Sequence, residues 1–309
     1  MSSPVLHIKD GYFFEVPKAL WRQHYTSLDQ VPEFLREAHP HTTVAEFNRE
    51  MSGKILIPQP FATLKNLHDV KSGFGISKFM IIELVIVILL VVVFKKYGEM
   101  VRDGAPPRGR FWNMIDAFVL YLRDSVARPA IGEHDADQFL PLLWTIFFFI
   151  LICNLFGMLP WVGAPTGAFG ATFALACVIF GTSLLFGMKK FGPLGFWFNQ
   201  VPHMDLPLAL RPLKLMIFAI ELVGLVIKHA VLAVRLLANM VAGHLVLLGI
   251  LGIIVAAASA SHGIWLTATG ISVVGSTLFS ILELFVAFLQ AYVFTFLAAL
   301  FIGAAVHHH

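Results

Sequence analysis

Apolar residues fall in long blocks separated by short polar joints rich in Gly and Pro, and those blocks set the predicted elements. The run ISKFMIIELVIVILLVVVF, closed by Lys95 and Lys96, is long enough to cross a hydrocarbon core of ~30 Å and predicts a first span over residues 76–97. Between 108 and 131 the pattern changes. Trp112, Ile115, Phe118, Val119 and Leu122 recur near helical spacing against Asp116, Arg123 and Asp124, which predicts an amphipathic helix lying in the interface. Blocks at 139–161 and 169–188 flank the turn-rich VGAPTGAFG and predict a transmembrane hairpin. After Lys189 and Lys190 comes a Pro/Gly re-entry, FGPLGFWFNQVPHMDLPLALRP, followed by two overlong helices, 212–259 and 264–306. The first of these would be ~70 Å long at 1.5 Å per residue, over twice the hydrocarbon thickness, so it must tilt strongly, bend or break.

Composition makes this reading firm. Hydrophobic residues are 58% of the chain and charged ones 13%, with a mean hydropathy of +0.78. The predicted fold class is an all-α polytopic membrane protein with about five transmembrane helices and one interfacial helix, the last two long and strongly tilted. Residues 1–75 differ. They hold eight basic and eight acidic side chains, several prolines and no early apolar stretch of the signal-peptide kind, so they predict a small polar extension of short helical pieces and turns. Insertion is then expected to begin at the first span. The membrane domain is 76–306, and His307, His308 and His309 are a native tail or a tag remnant.

Charge changes the picture in two ways. A net charge of +3, with no basic stripe, argues against a nucleic-acid partner. Residues 95–128 carry seven basic and four acidic side chains and Lys189/Lys190 follow the fourth helix, so the positive-inside rule places the N-terminus outside and the C-terminus in the cytoplasm. Cys153 and Cys177 lie in apolar segments without metal-type spacing and read as buried thiols.

Candidate chemistry lies inside the apolar blocks. From Val231 to Ala260 Arg235 is the one permanently charged residue, and arginine cannot escape an apolar environment by losing its proton. At bilayer depth such a charge costs ~2.5–3.5 kcal/mol on insertion scales and marks an ion pathway, relay or counter-ion site. Glu221, Lys228 and Arg235 are seven apart and Asn239 follows by four, so they share roughly one helical face. Glu283 and Gln290 repeat the seven-residue spacing on the last helix, while His244 projects to another face of its own. A histidine and a carboxylate on adjacent helices can relay a proton. Plainer readings stay open: Lys228 and Glu221 as a pair along one helix or as snorkelling side chains, Asn239 and Gln290 as interhelical hydrogen-bonding groups, His244 as an ordinary hydrogen-bonded histidine, His229 as an interfacial residue. Glu83, alone in the first span, reads as lying near an interface or facing another subunit.

At RLLANMVAGH (Arg235 to His244) the chain resembles the a subunit of F-type ATP synthases, and the resemblance extends through ELVGLVIKHAVLAVRLLAN, ELFVAFLQAYVFTFLAALFIG and NLFGMLP over about residues 75–306. The resemblance implies one outer helix, an interfacial helix, a hairpin and two long inclined helices wrapping a rotor. It implies that Arg235 faces the proton-carrying carboxylate of a rotating c-ring, with Asn239 beside it, and that Glu221, His244, Glu283, Gln290 and Asn154 line two aqueous half-channels, with Lys228 on the same stripe. Many bacterial relatives carry the acid and the histidine in the opposite order from His244 and Glu283; the pair is kept as a swap. Implied partners are the c-ring, peripheral-stalk b subunits, the rest of the complex and the bilayer of an energy-coupling membrane, bacterial plasma or mitochondrial inner. No cofactor is implied, and with no Walker A motif this chain is expected to bind no nucleotide and to be non-catalytic on its own.

Two other classes compete. A self-contained proton- or sodium-coupled carrier also uses intramembrane charges, but broken-helix pairs and a substrate-sized polar site are missing from the pattern. A haem protein or membrane enzyme would draw on His229, His244 and His262, yet there is no HExxH and no matched histidine pair on two helices. The purified chain is accordingly expected to show no haem absorbance band; a strong visible band would return the histidines to a ligand role.

Overall fold

A computed structural model describes residues 10–102, 104, 106–159, 162–199, 211–259 and 261–306. The His307–His309 tail and most of the re-entry before Arg211 lie outside the described residues. The chain is mostly helical and divides into two compact units, taken here one at a time.

One unit comprises the N-terminal extension through residue 87, residues 153–168 and residues 241–280. The extension is more ordered than its composition suggests. Strands β1 (Phe13–Glu15) and β2 (Lys54–Leu56) pair antiparallel with Phe13 opposite Leu56. Between them lie α1 (Glu33–Ala38) and α2 (Val44–Met51), and a second antiparallel pair follows, β3 (Ala62–Leu64) with β4 (Val70–Gly73). The α2 helix starts at a capping box in which Thr43 Oγ1 accepts from the Glu46 N–H and the Glu46 carboxylate accepts from the Thr43 N–H at 2.9 Å. Val31, Leu35, Phe47 and Met51 form a small core, with Tyr25 and Leu56 against it. Sequence reasoning missed the strands because they are only three or four residues long and too short to show a period of two. The extension is fastened to the first long helix, α3 (Lys78–Val101), by Lys78 N–H to Gly11 O at 2.9 Å and by the Gln59 amide, which bonds Ile76 N–H and C=O at 2.8 Å each.

The other unit comprises residues 88–152, 169–240 and 281–309. The expected interfacial helix is a composite: α4 (Arg110–Tyr121), a π-helical turn (Leu122–Ala127) and α5 (Arg128–Ile131). Pro129 explains the break, because its ring crowds the carbonyl four residues back and the Arg128 N–H bonds Arg123 O, five residues back. The apolar face buries Ile115, Val119, Leu122 and Val126, and Trp144 Nε1 donates to Val119 O at 3.1 Å. Its polar face carries Asp116, which accepts from Tyr97 OH at 2.5 Å, and Asp124, bound by Arg123 and Arg128 at 2.9 and 3.0 Å. Arg123 holds the exposed Asp124 carboxyl below the usual carboxylate range.

The hairpin helices are α6 (Glu133–Gly157) and α7 (Phe169–Phe191), so α6 starts and ends earlier than the apolar block, with Glu133 and Asp135 in its first turn where the helix dipole favours acids. A short α8 (Pro193–Asn199) precedes the two longest helices, α9 (Arg211–Ala256) and α10 (His262–Val306), of 46 and 45 residues. Among the described residues, four helices, α6, α7, α9 and α10, are long and apolar enough to cross a membrane. The fifth expected span, α3, has 24 residues and an uncharged stretch over residues 84–94, but Lys78, Glu83, Lys95, Lys96 and Glu99 lie within it.

Close approach of backbones sets the packing of α10. A Cβ on Gly303 would lie 2.1 Å from Ala130 O, so no other residue fits without backbone movement. Gly303→Ala is expected to cost about 1–3 kcal/mol through overpacking and to lower the melting temperature of the purified protein; an unchanged melting temperature would mean that this approach is loose.

Candidate functional site

The fully charged side chain sits on the outside of the longest helix. Only 6% of the residues in the most apolar stretch of α9, which lies C-terminal to Arg235, are buried within the chain, against 56% in that of α6. Arg235 is exposed on α9, whereas Leu232, Ala233 and Leu236 are buried, which fixes the face that the guanidinium avoids. Among the described residues it has no hydrogen-bond or ion-pair partner. Asn239, one turn on, is half-buried and likewise makes no hydrogen bond among them.

Three further polar positions of α9, Glu221, Lys228 and His229, are partnered. Lys228 Nζ lies 3.1 Å from Glu221 Oε1, so these two satisfy each other along one helix. The pair is partly exposed, and such pairs contribute ~0.2–1 kcal/mol. His229, read from sequence as interfacial, is instead buried: Nδ1 lies 2.9 Å from Leu225 O and the ring touches Phe180 and Phe301 at centroid distances of 5.1 and 4.8 Å. Its lone polar neighbour Lys228 concealed that, because adjacent helical residues point in different directions.

On α10 Glu283 and Gln290 are both buried, 8% and 6% exposed, two turns apart on the inward face with Ala287 and Phe294. Buried polar groups at this depth require partners or water. In the unit that contains residues 153–168 and 241–280, Asn154 at the end of α6 is buried and its Oδ1 accepts from Thr166 Oγ1 at 2.8 Å. His244 Nε2 lies 3.1 Å from Gly157 O, one turn beyond Asn154. The fold therefore brings Asn154 and His244 to one helix end, although 90 residues of sequence separate them. Arg235, Asn239, Glu221, Lys228, Glu283 and Gln290 belong to the other unit. Cys153 is buried as expected, but Cys177 is exposed on α7; both are free.

Among the described residues, four helices of membrane-spanning length, with ionisable and amide side chains set into otherwise apolar surfaces, define an all-α polytopic membrane protein. Residues 78–303 match the family described as ATP synthase A chain, and the chain belongs to it. It is 41% identical over 224 residues to ATP synthase subunit a of Anaeromyxobacter dehalogenans, a match covering 72% of this chain and 55% of that protein. It is 34% identical over 308 residues to ATP synthase subunit a of an Anaeromyxobacter species, covering 98% and 70%, and 33% identical over 286 residues to that of Chlorobium phaeobacteroides, covering 87% and 80%. The chain thus spans little more than half the length of the first of these relatives.

Thr166→Val removes a donor to buried Asn154 and is expected to cost about 0.6–1.7 kcal/mol, the measured scale for hydrogen bonds in membrane proteins. Faster proteolysis at the joint between α6 and α7 would report it; a cleavage rate equal to wild type would show that the bond carries no stability.

Proposed function

We propose that this chain is the proton-translocating stator subunit of its ATP synthase, itself non-catalytic, in which Arg235 opposes a carboxylate of a rotating c-ring and two aqueous half-channels feed that carboxylate from opposite sides of the membrane. The observation that carries the reading is an exposed guanidinium without a partner among the described residues, on a long apolar helix. A bare charge at that depth costs more than a surface ion pair returns, so a carboxylate from another chain is the chemically sufficient partner.

The mechanism follows from charge. A carboxylate moving through lipid is protonated, because the charged form is poorly solvated there; facing Arg235 the ionised form is favoured, and its proton leaves into one half-channel. The site re-enters lipid only after taking a proton from the other. Arg235 also repels a proton migrating directly between the half-channels, which makes rotation obligatory for transport. At ~2.3 kcal/mol per charge per 100 mV, several protons supply work for ATP synthesis in the catalytic sector.

Asn154 and His244 are assigned to one half-channel; Glu283 and Gln290, with Asn239 beside the arginine, complete the path. Glu221 and Lys228 mark its other end as an ion pair. Peripheral-stalk b subunits are the proposed neighbours of α3 and of the composite interfacial helix, with the N-terminal extension outside and the C-terminus in the cytoplasm. Protons are the proposed ion because a histidine and a carboxylate both titrate within reach of neutrality.

In vesicles containing the whole complex, Arg235→Ala is expected to abolish ATP-driven acidification while the complex assembles, with passive proton leak persisting or rising once the soluble motor is stripped. Arg235→Lys is expected to restore little, because an ammonium can lose its proton and lacks the guanidinium's fixed charge. Unchanged pumping in Arg235→Ala would overturn the rotor–stator reading.

A further inference from the structure

The one acid of α3's apolar stretch is turned toward the protein. Phe79 and Ile86, four residues before and three after Glu83, are 2% and 0% exposed, and Ile82 is buried beside them, whereas Leu84, Val85 and Val87 are exposed. Residues at those spacings share a helix face, so Glu83, half-buried, lies on the side facing protein and away from the side offered to lipid. Its electrostatic neighbours are Asp10 of the extension and Cys153 of α6.

These neighbours set Glu83 in a sequence of polar groups inside one compact unit. Toward the extension, the Phe79 N–H donates to Asp10 Oδ1 at 3.4 Å. The joint after α6 presses against the same turn of α3: Gly163 has φ +82°, and a Cβ there would lie 2.8 Å from the Phe79 ring and 3.3 Å from Lys78 Nζ. Asn154, next to Cys153, accepts from Thr166, and one turn further on Gly157 O meets His244.

We infer that Glu83 is a proton-relay carboxylate of the outer half-channel, receiving protons between the extension and Asn154/His244. The inference rests on the half-channel reading above and adds a residue from α3 to it. A proton from the outer solution bonds to a Glu83 carboxylate oxygen; that O–H bond then breaks as the proton passes through water toward the imidazole of His244, and the carboxylate is regenerated. An ionisable group on the inward face of a membrane helix is costly unless water reaches it, which is the condition a relay needs.

The test uses the whole complex in vesicles, with Cys153→Ala and Cys177→Ser as background. A small cationic methanethiosulfonate reagent applied from the extension's side is expected to modify Glu83→Cys, as it modifies Asn154→Cys. In stripped vesicles Glu83→Gln is expected to lower passive proton conductance at least ~tenfold, with Glu83→Asp retaining most of it. Modification at 154 without modification at 83 would show Glu83 to be packed, overturning the inference and leaving the half-channel intact. Wild-type conductance in Glu83→Gln overturns the relay even if the cysteine reacts. If neither cysteine reacts, the half-channel reading fails, and the relay with it. Should Glu83→Gln fail to assemble, Glu83→Asp and the labelling of Glu83→Cys decide.

Discussion

A guanidinium that cannot lose its proton, held on a helix built to lie in hydrocarbon, is the constraint to which the rest of the molecule answers. Arg235 faces outward on α9 while its neighbours Leu232 and Leu236 face inward, and among the described residues nothing pairs with it. Lys228, seven residues earlier, shows the alternative: it has Glu221 at 3.1 Å and needs nothing more. Of these two cations on one helix, one has an acidic partner within the chain and the other has none among the described residues.

Length and closeness are the means by which the chain presents that charge. At 46 and 45 residues α9 and α10 are far too long to cross the bilayer upright. The most apolar stretch of α9 leaves nearly all of its residues uncovered by the chain itself. Where α10 does meet its neighbours it does so closely, with Gly303 against the carbonyl of Ala130, as small residues allow in membranes where lipid gives helices little other reason to associate. The proline-induced π turn before Arg128 and the aromatic contacts of Phe118 with Phe147 and Phe288 belong to the same unit and hold its composite helix in place.

The extension belongs with the polar end of the other unit. Its Gly11 carbonyl accepts from Lys78 N–H at the start of α3, the Gln59 side-chain amide bonds Ile76 just before it, and its Asp10 accepts from the Phe79 amide. The same unit contains Asn154, Thr166 and His244. The N-terminal extension and these polar side chains are thus one compact body, which gives the extension a physical connection to the proposed path of protons.

The sequence by itself determined the fold class, the long helices and the identity of the misplaced charge, because each depends on local quantities: hydrophobic run length, a period near 3.6, and the inability of arginine to neutralise itself. RLLANMVAGH was enough to place the family. Tertiary structure alone decided which polar groups find partners. The pairing of Glu221 with Lys228 is one of two readings the spacing leaves open, whereas the enclosure of His229 by Phe180 and Phe301 and the inward turn of Glu83 do not follow from spacing when both faces of a helix are apolar. The four short strands were hidden for a related reason: three or four residues carry no readable period, and pairing with a distant segment, Phe13 with Leu56, defines them. Asn154 and His244 meet at the end of α6 only because the chain folds back across ninety residues, and contact at that separation is written in packing, not in local pattern.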